Sequence, residues 1–348
     1  MRTASSSQNP WQASEGDFPS LGTASEKLEF LLQYAVLAPS SHNSQPWLFR
    51  IVGDHVDLYA DRTRALPVAD PADREMLISC GAALGNLRLA MNAFGYTAER
   101  ILVPQPDDPD LLARVRLGSA YRPTAEQRHL FRAILARRTN RLPFDTARQV
   151  PRDLIAAVVE DAEVERAHLT VTQDTEIKAA VAALVSEADE IQLQDPRFRR
   201  ELAAWIHPSR SRSRDGVPGT AFGMNQILDR VGTPAASFVV RTFDIGGGWA
   251  ARDRQIASGS PTLALLWTGE DTPRHWVEAG QALSRILLRA TDAGVSASFL
   301  NQPIEMASLR SKLAHAMGIA GQPQLLLRLG YGPPLPPTPR RPVEDVLD

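Results

Sequence analysis

A single cysteine, Cys80, stands among 348 residues. One thiol forms no intrachain disulfide and cannot anchor a cysteine-based metal site. Set in an apolar helical pattern, it reads as a small buried side chain. An excess of either charge is also missing: 38 basic side chains face 40 acidic ones, for a formal net charge of -2. That balance favours neither nucleic acid nor a membrane surface as partner. No apolar run approaches the length of a membrane-spanning helix. The first residues hold an early arginine but not the apolar core of a signal peptide, so a cytoplasmic protein is expected. No Gly-x-Gly-x-x-Gly follows a strand pattern, which disfavours a Rossmann dinucleotide fold. His207, His275 and His315 lack the carboxylate and histidine company of a metal site, and no metal is expected.

What is present is enough apolar material, 43% of the chain, to bury a full core in one large domain or two fused halves. Residues 1–23 are rich in Ser, Gly, Pro and Gln and read as a flexible arm, with Trp11 and Phe18 able to anchor it. The pattern predicts a helix over 24–37, a hairpin pair over 47–52 and 56–60, and a strong helix over 73–94. In that helix Leu77, Cys80, Leu84, Leu87 and Met91 share one side. Strands are expected at 96–103 and 112–117, 166–172, 262–268, 295–300 and 325–330. Further helices are expected over 124–137, 151–160, 174–192, 276–293 and 304–317. Residues 235–241 read as extended and 246–248 as a flexible turn. Residues 197–220 have many arginines, Pro and Gly but little apolar period, and read as a lid. Residues 331–348 form a proline-rich tail.

The two strong helices resemble each other. Gly81-Ala82-Ala83-Leu84 aligns with Gly280-Gln281-Ala282-Leu283, and Gly95-Tyr96-Thr97-Ala98 with Gly294-Val295-Ser296-Ala297. The offset is 199 residues at both sites. Glycine-capped, alanine-rich helices also recur by chance, but a shared offset across a whole helix and its cap points to duplication. The physical expectation is two similar α+β halves packed with pseudo-twofold symmetry, residues 24–120 and 121–348.

One stretch stands out: Ala38-Pro39-Ser40-Ser41-His42-Asn43-Ser44-Gln45-Pro46-Trp47. Its hydroxyls, amides and backbone N–H groups suit a flat, hydrogen-bonding ligand, or else a capping turn that satisfies only itself. Ala38, Pro39, Ser40, Asn43, Gln45, Pro46, Trp47 and Phe49 resemble the APS-x-x-N-x-QPW-x-F signature of the nitroreductase family of flavin enzymes. The resemblance implies an α+β, nitroreductase-like fold, internally duplicated so that one chain mimics the family homodimer. The arrangement resembles the two-repeat, Acg-like branch of that family. It also implies FMN, with Pro39, Ser40, Ser41 and Asn43 touching the flavin.

The rest of the expected site follows from the same resemblance. Arg137, Arg138 and Thr139 match a phosphate-side motif, and Arg141 falls where the family places a cation beside the flavin N1/O2 edge. Read without it, Arg137–Arg141 is a solvated basic helix end. Arg340 and Arg341 resemble the terminal basic motif that reaches the phosphate. Pro303, Ile304 and Glu305 resemble a segment whose backbone N–H points at flavin N5, with Met306 in place of a glycine. Glu305 would then act through its main chain, and His42 is the one histidine near the ring. The implied activity is electron transfer from NADPH or NADH, a transient reductant, through FMN to a small nitroaromatic or quinone-like acceptor. The alternative is a flavin-binding or flavin-storage protein with a covered site and little turnover. The expected assembly is a pseudo-dimeric monomer, with higher oligomers left open.

Overall fold

The computed structural model of the protein describes residues 9–103, 107–207, 211–218 and 253–348; the readings at 235–241 and 246–248 lie outside the described residues. Two four-stranded antiparallel sheets organise it. The first holds β1 (Trp47–Val52), β2 (His55–Ala60), β3 (Tyr96–Leu102) and β4 (Leu111–Ala120) in the order β1-β2-β4-β3. The short pair β6 (Ile206–His207) and β7 (Val217–Pro218) lies apart from both. The second sheet holds β5 (His168–Thr172), β8 (Thr262–Thr268), β9 (Ser296–Phe299) and β10 (Gln322–Gly330) in the order β5-β8-β10-β9. Counted within each unit, both sheets run first, second, fourth, third.

The helices repeat the same plan. α1 (Ala24–Ala35) precedes β1, and α2 (Arg74–Ala93) lies between β2 and β3. α3 (Ala125–Ala136) opens the second unit; α4 (Arg152–Val164) precedes β5. α5 (Thr175–Gln194) and α6 (Pro196–Ala204) follow it, α7 (Pro273–Asp292) lies between β8 and β9, and α8 (Ala307–Ala316) precedes β10. α1 and α3 each start on a reciprocal cap: Thr23 and Thr124 accept from the N–H of Glu26 and Gln127, whose side chains accept back. α2 and α7 are both 20 residues long and both end before a glycine with positive φ, Gly95 at 91° and Gly294 at 70°.

α2 and α7 pack on each other at the centre, and their closeness is set by glycine. A Cβ on Gly280 would fall on the carbonyl oxygen of Ile78 and within 2.7 Å of the Ala82 nitrogen. A Cβ on Gly81 would meet the Val277 carbonyl and lie 3.0 Å from the Gly280 Cα. The surrounding core is continuous across both units, from Leu28, Trp47 and Leu84 to Leu287 and Leu327.

Two departures from symmetry position the site. In the first unit β1 and β2 are joined by a tight turn at Gly53, with φ of 62°; in the second, residues 173–261 separate β5 from β8. Conversely, a long polar loop, residues 36–46, joins α1 to β1, whereas three residues, 165–167, join α4 to β5. The tail then crosses back: the Phe49 N–H donates to Val346 O at 2.8 Å and the Asp348 N–H to Phe49 O at 2.9 Å, covering the free edge of β1.

Several expectations shift. Residues 197–204 lie in α6, whose Leu202 and Ala203 pack with Leu193 and Ile206. Residues 301–306 form turns, and α8 starts three residues later than the pattern suggested, with Met306 as its cap. The arm is docked from Asn9 onward. Trp11 Nε1 donates to Thr338 O at 2.7 Å, and Phe18 stacks 4.4 Å from Phe94.

Candidate functional site

A cleft of about 210 Å³ opens between the units. The first unit supplies Pro39, Ser40, Ser41 and His42 from the polar loop and Glu75, Ile78 and Ser79 from α2. The second supplies Thr139, Arg141, Leu283, Phe299, Asn301, Gln302 and Glu305, while Asp189, Gln192, Phe198, Leu202, Val217 and Asp253 come from residues 173–261. The segment after β5 thus walls the cleft on one side.

The polar loop is held in an unusual backbone. His42, Asn43 and Gln45 all have positive φ, 52°, 55° and 53°. Such a path is costly for residues with a Cβ and persists only where neighbours fix it. Here they do. Gln45, wholly buried, donates to Arg214 O at 2.8 Å and accepts from the Arg341 N–H at 2.8 Å. Ser40 Oγ accepts the Gln45 N–H at 2.9 Å, and Ser41 Oγ donates to Glu75 Oε2 at 2.6 Å.

Asn43 corrects an expectation. Its side chain faces the protein, with Nδ2 donating to Gly216 O at 2.9 Å and Pro339 O at 3.1 Å, and Oδ1 accepting from Arg340 at 2.7 Å. Every polar atom of the amide is engaged, so Asn43 ties loop, tail and 211–218 together instead of lining the cleft. Arg341 plays a similar part, donating to Gln45 O at 3.2 Å and to the Asp345 carbonyl.

Behind the loop sits a buried cationic group. Arg340 is 7% exposed and donates to Ala38 O at 3.2 Å; Arg137 is 4% exposed and donates to Leu37 O at 3.2 Å. The guanidinium groups of Arg138 and Arg340 lie 4.2 and 5.3 Å from the Trp11 ring. Burial, then the neighbouring Arg137 and Arg138, pull Arg340 well below its ordinary pKa; burial, then Arg138, takes Arg137 down to about 10. The Nε atoms of Arg138 and Arg340 are buried with no hydrogen-bond partner. Three guanidiniums so placed, with unused donors, fit an anion with several oxygens. Arg137 also donates to Thr139 Oγ1 at 3.5 Å, which brings this group to the end of the cleft.

Thr139 and Arg141 are positioned by β9. Thr139 bridges Ala297, the Asn140 N–H donates to Ala297 O at 2.9 Å, and Arg328 donates to Asn140 O at 2.8 Å. Arg141 reaches the cleft wall, where burial lowers it to about 10 and nearby Asp253 opposes that; it is cationic at neutral pH. His42 is pushed down to about 4, by burial first and Arg141 second, so its imidazole is neutral; Nε2 is buried and unpartnered.

Pro303 and Ile304 lie behind the wall, Ile304 packing with Val181, Leu263 and Leu313. Glu305 departs from the expected role. Its N–H donates to Asn301 O at 3.2 Å, and its carboxyl lines the cleft, accepting from Gln192 at 2.5 Å. The residues that motif spacing missed are the acidic and amide ones: Glu75, Asp189, Gln192, Asn301, Gln302 and Asp253. Asn301 and Gln302 flanked the recognised segment. Glu75 gave a signal only as a charge beside an apolar helix face.

The Nitroreductase family pattern matches residues 134–331. Over 331 residues the chain is 35% identical to an uncharacterized protein of Mycobacterium tuberculosis H37Rv, covering 91% of this chain and 92% of that one. The chain belongs to the nitroreductase family. Within it, acg of M. tuberculosis, which carries the provisional name of an NAD(P)H nitroreductase, is 32% identical over 342 residues, 94% of this chain and 97% of its own. Among solved structures, the FMN and NADPH-dependent nitroreductase NfnB from a Sphingopyxis strain aligns with 63% of this chain and 97% of its own, at 19% identity and a TM-score of 0.41. This nitroreductase family member has no cluster of three or more His, Cys, Asp or Glu fit for a metal among its described residues.

Proposed function

We propose that the cleft binds one FMN and that the protein is an oxidoreductase of nitroreductase type. It would take electrons from NADPH or NADH and pass them to a small electron-poor acceptor. The observation that carries this is the arginine group of buried Arg137 and Arg340 with half-buried Arg138, the last two with unpartnered Nε atoms, next to Thr139 of a polar-walled cleft. Those guanidiniums would hold the phosphate. Pro39, Ser40, Ser41 and Thr139 would bracket the ring system. FMN, when bound, supplies the hydride chemistry. Arg141, at the cleft wall, would supply a fixed positive charge to stabilise the reduced cofactor. His42, neutral, offers its unpartnered Nε2 as a polar contact without adding charge. Phe198, Leu202 and Val217 form an apolar flank that limits acceptor size.

The wall along the cleft favours a second reading, flavin storage with little turnover: Phe198, Leu202 and Val217 stand along one side of it. Anaerobic mixing of FMN-loaded protein with NADPH and with NADH separates the two. Bleaching of the oxidised-flavin band within seconds supports the oxidoreductase. Bound flavin that neither donor bleaches would support storage, and a protein that retains no FMN would refute both.

A further inference from the structure

Glu305 lines two cavities at once. One is the cleft; the other, of about 550 Å³, lies on the far side and is lined by Asp70, Arg74, Asp271, Trp276, Arg310 and Ala314 among others. Charged and polar groups converge on this wall from every element packed on it. α2 contributes Arg74 and Glu75, the connector before it Asp70, α5 Asp189 and Gln192, and α8 Arg310. Asp253 joins this wall, accepting from Gln302 at 3.1 Å, and Arg141 and His42 also line the cleft.

Hydrogen bonds tie these groups to one another along the wall. Gln192 Nε2 occupies Glu305 Oε2 at 2.5 Å. Glu75 accepts from Arg74 at 3.1 Å and Asn301 at 3.2 Å through Oε1, and from the Ser41 hydroxyl at 2.6 Å through Oε2. Arg74 also donates to the Gln324 side chain at 3.2 Å and to its carbonyl. One arginine thus faces three carboxyl groups, Asp70, Glu75 and Glu305.

We propose that Glu305 is a proton-transfer residue, passing protons from solvent in the second cavity into the cleft. The use of that proton rests on the oxidoreductase reading; the buried acid does not. Reducing a quinone-like acceptor takes a hydride, from the nicotinamide donor by way of the cofactor, and one proton. The Glu305 O–H bond breaks, its proton joins the acceptor oxygen that has gained the electron pair, and water in the second cavity reprotonates the carboxylate. The sum is acceptor plus NAD(P)H plus H⁺ giving reduced acceptor plus NAD(P)⁺. Surroundings support the protonated state: burial first, then Glu75, hold Glu305 well above the ordinary glutamate range, against the opposing effects of Gln192 and Arg74. Asp70, at the second cavity, is pushed up to about 6 by burial and Glu75.

Infrared difference spectra of the flavin-free chain at pH 7, wild type minus Glu305→Gln, test the acid directly. A protonated-carboxyl C=O band in the difference supports the proposal; no such band, or a carboxylate band in its place, overturns it. In the FMN-loaded enzyme, Glu305→Gln should lower kcat with a quinone about 10²–10⁴-fold. Glu305→Asp should recover part of the loss, and FMN content read from absorbance should stay unchanged. Turnover by Glu305→Gln within threefold of wild type overturns the role. Ala314→Phe narrows the second cavity without touching the cleft; it should slow turnover and raise the solvent deuterium isotope effect, and an unchanged effect overturns the supply route. Wild-type protein that holds no FMN would refute the oxidoreductase reading, while the infrared result would still decide the acid.

Discussion

Asn43 shows how a residue can belong to a site without touching a ligand. Its amide joins the tail, through Arg340 and Pro339, to residues 211–218, through Gly216. Asn43→Ala should therefore lower stability by about 1–3 kcal/mol in urea unfolding, since it strands buried partners. FMN affinity should fall with it, because Arg340 loses an anchor. Arg141 should behave differently. Arg141→Ala should leave the fold intact but weaken FMN binding and shift the bound flavin's reduction potential more negative, measurable by dye-coupled titration. Asp189 gives a pH test. Burial, then Asp253, push its folded pKa up to about 8, above the unfolded value. Its contribution to stability is therefore complete below the ordinary carboxylate range and is lost as pH rises through 8. Asp189→Asn should flatten the fall in stability between about pH 4 and 8, and an unchanged profile would contradict the assignment. At this scale residue types were legible but their partners were not. Asn43 and Arg340 stand 297 positions apart, and no local pattern says that one will occupy the other.

The elements were more legible, because periodicity is a local property. The α2–α7 crossing follows from small residues at one offset, and the structure adds which glycine matters most. At Gly280 the obstacle is the backbone of Ile78 and Ala82; at Gly85 it is the Ser284 side chain, with Cβ 2.9 Å away. Gly280→Ala should cost at least about 1–3 kcal/mol by overpacking. Gly85→Ala should cost less, since the alanine also regains helix propensity; chemical denaturation ranks the two. α6 shows little apolar period because its nine residues carry few apolar side chains, and their burial depends on α5 and the cleft. That placement yields a prediction for the flank. Phe198→Ala should raise kcat/KM for bulky nitroaromatics more than for small quinones, and equal changes for both would remove Phe198 from the acceptor's path. Glu305 illustrates the opposite failure. Its segment was recognised, but whether backbone or carboxyl faces the cleft depends on turns at 301–306 that spacing alone does not specify.

Across the whole molecule, the two units share one topology, and the cleft between them draws on both. Two sheets of identical order pack through α2 and α7, yet the units have diverged in complementary ways. The first keeps the polar loop before its first strand; the second has three residues there and instead carries the long segment after its first strand. The arginine group draws on Arg137 and Arg138 ahead of the second sheet, on Arg340 from the tail, and on the covering Trp11 from the arm. A mirror-related cleft would lack both loop and arginines. A constant offset links the two central helices in the sequence; the tail's return to β1 has no such sign, since a proline-rich stretch does not say where it docks. The central claim is one composite FMN site per chain. It is tested most directly by titrating apoprotein with FMN, with protein concentration fixed by amino-acid analysis. A plateau at one flavin per chain, with weaker binding in both Arg141→Ala and Arg340→Ala, is the predicted result. A plateau at two, or binding undiminished by both substitutions, would contradict it.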